Sequence, residues 1–264
     1  MMDWHPKVIQ AADRLRLAAE ENSPCKPVRD LLGPDDVESA YQVQFRNNLW
    51  RLDQGEEMVG CKIGLTSKVV QEQIGVDQPD FGWLFGSSMI DSGSTVSWND
   101  LMQPKVEAEV ALVLNHDLEG PDISMNDLKE AVAYAVPSIE IVGSRIENWD
   151  IRIADTIADN ASGSHYVLSH HKTNIDALDL SECKMRMYCN GALVSTGSGL
   201  DCLGSPLNAA LWLARKMGKL GSPLKKGNII LTGALGPMGQ VNPGDFVEAE
   251  ISPLGAVSVE FSKN

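Results

Sequence analysis

The chain has 264 residues, 43% of them apolar and 22% charged, which suits a globular protein with one large domain or a main domain plus a small appendage. A formal net charge of −14 argues against binding a nucleic-acid backbone, and no apolar run approaches the roughly 20 residues needed to span a bilayer. The five cysteines are odd in number and lack a Cys-x-x-Cys spacing, so they read as reduced, mostly buried thiols.

Met1 to Lys7 has no basic stretch followed by an apolar one, so the expected location is cytoplasmic. Residues 4–21 place Val8, Ala11, Ala12 and Leu15 at helical spacing, and Asn22-Ser23-Pro24 ends them. Asp35-Asp36-Val37-Glu38 reads as a helix start with acidic residues in the first turn. Tyr41, Val43, Phe45, Leu49 and Leu52 carry that helix to Gly55, with its aromatic residues in the core. These helices make an N-terminal helical region at 1–57, packed on the rest of the chain or on another subunit.

From Met58 the pattern changes to short strands punctuated by Gly, Pro, Asn and Asp, which defines a β-rich catalytic region at 58–264. Met58 to Leu65 is a strand carrying Lys62, a lone charge that either snorkels to water or faces a site. Ser67 to Ile74 reads as a short helix. Asp80 lies in a loop, as a turn-former or as an acid facing a site, the turn being the ordinary reading. Residues 81–85 and 89–96 suggest further short strands or a mobile hairpin.

Lys105 to Leu114 alternates and then becomes wholly apolar, as a strand does when it enters a core. Successive strand side chains point to opposite faces, so Glu107 and Glu109 share one face, with Cβ atoms roughly 6 to 7 Å apart. Solvated glutamates on a strand edge would look the same. After a helix over Ser124 to Ala135, however, Val136 to Gly143 is an apolar run with Glu140 at its centre. Burying a lone carboxylate is costly. Glu107, Glu109 and Glu140 together would form an oxygen-only site for a hard divalent ion, with Lys62 as a neighbouring cation.

Ser144 to Ser164 is long and polar, yet Ile151, Ile153 and Ile157 argue against disorder and for a short helical turn. Asn190-Gly191 joins a hairpin of Cys183 to Cys189 and Ala192 to Ser198. Pro206 to Met217 is an amphipathic helix with Gly218 beyond its end, and strands recur at 228–232, 245–251 and 256–261. Few helices lie between strands, which fits an α+β or mainly β fold better than a doubly wound sheet, and α+β is the class expected. There is no dinucleotide fingerprint, phosphate loop or His-Glu-x-x-His, and Gly197-Ser198-Gly199 follows a hairpin unlike a nucleophile elbow.

Five separated segments, Gly60 to Thr66, Pro104 to Glu109, Ile139 to Val142, Asp155 to Ser162 and Leu231 to Pro237, resemble in order those of the 2-hydroxypenta-2,4-dienoate (2-keto-4-pentenoate) hydratases. These belong to the fumarylacetoacetate hydrolase superfamily. The resemblance runs from about the second helix to the end of the chain. It implies a mixed, barrel-like β-roll core, a homo-oligomer, and Mg²⁺ or Mn²⁺ held by Glu107, Glu109 and Glu140. It also implies Lys62 at the active site and hydration of 2-hydroxypenta-2,4-dienoate in meta-cleavage degradation of aromatic compounds. On that resemblance Lys62 would orient the substrate carboxylate or shuttle a proton, with a pKa depressed by the metal. Asp80 would position water and Ser162 would hydrogen-bond the substrate.

Three alternatives stay open. A 4-oxalocrotonate decarboxylase would share the metal site but need an extra cation for a second substrate carboxylate, for which Arg145 and Arg152 are candidates. Carbon–carbon hydrolysis would need a water-activating base, for which His165 is the nearest in sequence. A non-catalytic subunit associated with a neighbouring pathway enzyme is a different class of answer, and the intact Lys62, Glu107, Glu109 and Glu140 count against it.

Overall fold

Asp36 accepts the Ser39 N–H and so caps a helix, Val37–Asp53, that with Pro6–Glu20 and the short Arg29–Leu32 forms the N-terminal region. The computed structural model describes residues 4–67, 71, 78–176 and 178–264. In chain order the helices are α1 (Pro6–Glu20), α2 (Arg29–Leu32), α3 (Val37–Asp53), α4 (Met125–Ala131), α5 (Ile153–Ala158) and α6 (Pro206–Lys219). The helix expected over Ser67 to Ile74 lies largely outside the described residues. No described helix is long and apolar enough to cross a membrane.

The strands are β1 (Met58–Gly64), β2 (Asp80–Phe85), β3 (Met89–Asp91), β4 (Thr95–Val96), β5 (Lys105–Leu114), β6 (Val132–Val142), β7 (Gly163–Leu168), β8 (Lys184–Cys189), β9 (Ala192–Ser198), β10 (Ile229–Ala234), β11 (Gly239–Gln240), β12 (Phe246–Ser252) and β13 (Gly255–Phe261). One sheet runs β2-β1-β10-β5-β6-β7-β3, with β11 also on β5, and a second runs β4-β13-β12-β8-β9. Most pairs are antiparallel, while β1–β10, β3–β7 and β4–β13 are parallel. This is the mixed α+β architecture expected from the sequence.

The pleat of the first sheet divides the protein. Val106, Ala108, Val110, Leu112, Ile139 and Ile141 point one way into a core completed by the second sheet and by α6. Glu107 and Glu109 point the other way, to a face that elsewhere carries only a small apolar group including Leu84, Ala111, Val136, Tyr166 and Leu231. The N-terminal helices have their own apolar cluster, in which Val8, Ala11, Ala12, Leu15 and Val43 meet Ile146, Ile153, Ala154 and Ile157. The helical region thus packs on the long segment that precedes β7.

Several expectations needed revision. The helix expected to Ala135 stops at Ala131, because β-branched Val132 opens a long strand that pairs with β5. Residues 89–96 form no hairpin: β3 joins β7 and β4 joins β13, in different sheets. In α3 the buried stripe is Ala40, Val43, Gln44 and Asn48 and not the aromatic positions, since Tyr41 and Phe45 are only partly covered by Phe81 and Trp83. The Asn190-Gly191 hairpin is as expected, with φ of 50° and 79° at its two turn residues.

Candidate active site

Two neighbouring strands, β5 and β6, bring the carboxylates together. Glu107 of β5 sits directly opposite Glu140 of β6, and Glu109 follows two residues along the same face. One carboxylate oxygen from each lies within 4.8 Å of the others. Glu109 and Glu140 are fully buried and Glu107 is partly covered. Like charges directly opposite in a sheet repel, so the arrangement needs a compensating cation.

Lys62 supplies one cation. It projects from β1, is 2% exposed, and its ammonium lies 3.2 Å from Oε1 of Glu140 while donating to the carbonyl of Ala161 at 2.7 Å. Burial works to lower its pKa, but Glu140, Asp80, Glu107 and Glu109 together hold it above the ordinary value. The protein's own groups therefore work against the depressed pKa that the resemblance implies for a metal-loaded site.

Asp80 is no turn residue. It opens β2, pairs with Gly64 across the ladder and is 1% exposed. The Thr156 hydroxyl donates to Oδ2 at 3.4 Å, and Oδ1 has no partner among the described residues. Burial raises its pKa and Lys62 offsets part of the rise. Ser162 is also buried, with its hydroxyl 3.3 Å from that of Thr156, so Thr156 links Asp80 to Ser162.

One ion pair does not neutralise this cluster. Burial, reinforced by Glu140, pushes the Glu107 carboxyl up to about 7, and burial with Glu140 and Glu107 holds Glu109 well above the usual carboxylate range. Burial also raises Glu140, against the pull of Lys62. Oε1 of Glu109 and Oε2 of Glu140 have no hydrogen-bond partner among the described residues, and Oε1 of Glu140 meets only the Lys62 ammonium. Unpartnered buried carboxylate oxygens converging from adjacent strands form the donor set that a hard divalent cation takes.

The remaining oxygen of Glu109 is held by the backbone. A bulge in β10 turns Gly233 out of the ladder, and its N–H donates to Oε2 of Glu109 at 2.8 Å. Gly233 has φ +105°, and a Cβ there would lie 2.3 Å from Cγ2 of Thr66, so only glycine fits. Both residues sat within the segments singled out in the sequence, but nothing in their spacing disclosed this contact. Sequence reasoning also missed Thr156, Gln44 and Asn48. For the last two a signal existed: two amides four residues apart on a buried helix face.

Other candidates fall away from the cluster. Arg145 donates its guanidinium to Asp159 and to the Gly163 carbonyl, and Arg152 is exposed. His165 pairs with Ile141 and so projects from the face opposite Glu140. A surface cleft of about 610 Å³ along 116–123 and 127–131 is rich in acids but lies apart from Lys62.

The chain is similar to several known proteins. The family model described as fumarylacetoacetate (FAA) hydrolase C-terminal matches residues 59–262. A TodF product hydratase of Pseudomonas putida is 49% identical over 97% of this chain and 96% of its own length. The 2-keto-4-pentenoate hydratase 1 of Dechloromonas aromatica is 50% identical over 96% of each chain. Among solved structures, a 4-oxalocrotonate decarboxylase from Pseudomonas putida G7, complexed with magnesium and adipate, superposes with a TM-score of 0.92 at 30% identity, covering 96% of this chain and 97% of that one. The chain therefore belongs to the fumarylacetoacetate hydrolase family, among the 2-keto-4-pentenoate hydratases.

Proposed function

We propose that the protein is a metal-dependent hydro-lyase that converts 2-hydroxypenta-2,4-dienoate to 4-hydroxy-2-oxopentanoate. The observation that carries this reading is the convergence of three glutamates, two of them buried and one partly covered, on a site where Lys62 is the one cation paired with them among the described residues. The near-half identity to 2-keto-4-pentenoate hydratases supports it.

Glu107, Glu109 and Glu140 would hold a divalent ion, in keeping with the magnesium of the decarboxylase relative. Such an ion, Mg²⁺ or Mn²⁺, would supply Lewis-acid stabilisation of the charge that develops on the substrate. Lys62, kept cationic by its neighbours, opposes the negative charge that develops as the enol loses its proton. Asp80, with a free oxygen and a raised pKa, exchanges protons with the dienolate: carbon 5 gains one, and the resulting enone accepts water at carbon 4. The Ser162 hydroxyl, with Thr156 behind it, donates to the substrate. The division into helical 1–57 and catalytic 58–264 is likewise our reading, supported by a family match that begins at residue 59.

A 4-oxalocrotonate decarboxylase is the second reading, favoured by the close superposition on that enzyme. Against it, Arg145 is engaged with Asp159 and Arg152 is exposed. The test is an ultraviolet assay with freshly generated 2-hydroxypenta-2,4-dienoate, with Mg²⁺, Mn²⁺ or chelator, paired with product identification. Metal-dependent 4-hydroxy-2-oxopentanoate is expected. No turnover of this substrate, together with carbon dioxide release from 4-oxalocrotonate, would move the protein to the decarboxylases.

A further inference from the structure

Lys62 and Ser162 both depend on one turn. Asn160, Ala161 and Ser162 are three consecutive non-glycine residues with φ of 54°, 51° and 54°. L residues keep such a conformation only where their surroundings over-determine it. The turn's products are the Ala161 carbonyl, which receives the Lys62 ammonium, and the buried Ser162 hydroxyl.

Three clamps hold the turn. The Asn160 side chain takes the place of a strand partner on β2, accepting the Trp83 N–H at 2.8 Å and donating to the Trp83 carbonyl at 3.0 Å. Arg145 brackets it, donating to Asp159 just before it and to the Gly163 carbonyl just after it. The third clamp comes from outside the segment matched by the family model. Asn48 of α3 donates to Oδ1 of Asn160 at 3.3 Å, and Gln44 donates to the carbonyls of Phe81 at 2.8 Å and Ile157 at 2.9 Å, tying β2 to α5. Each is 2% exposed. A helix that served only to cover a core would carry apolar residues at these positions, because buried amides are costly unless fully paired.

We propose that α3 is a positioning element of the active site, with Gln44 and Asn48 acting, together with Arg145, through the Asn160-Ala161-Ser162 turn to set Lys62 and Ser162. This rests on the hydratase reading. The helical region is then more than an appendage: the β-rich region carries every reacting group, yet its geometry is completed from residues 44 and 48.

The test uses the full-length, metal-loaded protein with Gln44→Met and Asn48→Leu, which keep side-chain volume and remove the donors, and with Arg145→Lys. Turnover of 2-hydroxypenta-2,4-dienoate, Mn²⁺ affinity and melting temperature are measured together. We expect kcat to fall about tenfold or more at temperatures where each variant is fully folded, since small displacements of catalytic groups are costly in rate. Mn²⁺ affinity should change by less than about twofold, because the glutamates on β5 and β6 are untouched. If only melting temperature falls while kcat stays at the wild-type value, α3 is a packing element and the inference is overturned. A loss of Mn²⁺ affinity equal to the loss of kcat would overturn it as well. Variants that fail to fold are replaced by Asn48→Asp, which keeps the shape and sets a carboxylate against Oδ1 of Asn160, with the same outcomes expected. A wild type that does not hydrate the dienoate overturns the functional reading, whereas an active wild type matched by its variants overturns the positioning role alone.

Discussion

Two concentrations of acid among the described residues behave oppositely. In the surface cleft, Asp117 accepts from the Lys226 N–H and the Lys225 ammonium, and Asp127 accepts from the Ser124 N–H and hydroxyl. These bonds hold both carboxyls below their ordinary range. On the shared face of β5 and β6, burial drives Glu107, Glu109 and Glu140 upward, and Oε1 of Glu109 and Oε2 of Glu140 go unpaired among the described residues while Oε1 of Glu140 meets only Lys62. Chemically similar groups are thus satisfied in one place and held ready for a cation in the other. The number of acids does not mark a site; the lack of partners does.

Breaking the buried cluster should have the largest effect. Glu109→Gln removes a charge that the Gly233 N–H positions, and is expected to lower both Mn²⁺ affinity and turnover by on the order of a hundredfold or more, beyond what loss of an outer contact to a metal site brings. The triple variant Asp117→Asn, Glu119→Gln, Asp122→Asn in the surface cleft should change either quantity by less than about twofold, as exposed charges do. Metal titration by calorimetry, alongside the dienol assay, separates the two. Equal losses would mean that the buried cluster is not the metal site.

A glycine from each region sharpens the contrast. Gly233→Ala places a Cβ 2.3 Å from Thr66 and disturbs the amide that holds Glu109, so Mn²⁺ affinity should fall about tenfold or more along with stability. Gly120→Ala, at φ +81° in the surface cleft, meets nothing within 4 Å and should cost only about 1 kcal/mol of backbone strain, with metal binding unchanged. Melting temperatures and Mn²⁺ titrations of the two variants decide this.

The smallest effect is expected far from either cluster. Lys7 and the Ser39 N–H hold the Asp36 carboxyl down to about 2. A depressed carboxyl stabilises the fold above its unfolded pKa, near 4, and that stability is lost as pH falls toward about 2. Asp36→Ala should therefore cost about 1 kcal/mol near neutral pH, with the gap to wild type closing in acid. Denaturant unfolding at pH 7 and pH 3 would show it, and a gap that widens in acid would contradict the assignment.

The helix starts, the Asn190-Gly191 hairpin and the shared face of Glu107 and Glu109 could be read locally, because each depends on residues within a few positions of one another. The end of α4 was misread because Val132 to Ala135 are compatible with helix until β5 offers them a ladder. Asp80 was misread for the same kind of reason: its Asp-rich surroundings signal a turn, while its pairing with Gly64 sets it in a strand.

By itself the sequence determined that two glutamates face one way on a strand that enters a core, that a third glutamate sits in an apolar strand, and that a lysine does likewise. Periodicity and side-chain chemistry suffice for that. Only the tertiary structure decided that these strands are neighbours in a register that sets Glu107 against Glu140. It likewise decided that a bulge in β10 aims the Gly233 amide at Glu109, and that α3 and Arg145 brace the turn that meets Lys62. Register, bulges and left-handed turns are chosen by the summed packing of distant segments, and no local window of residues contains that sum.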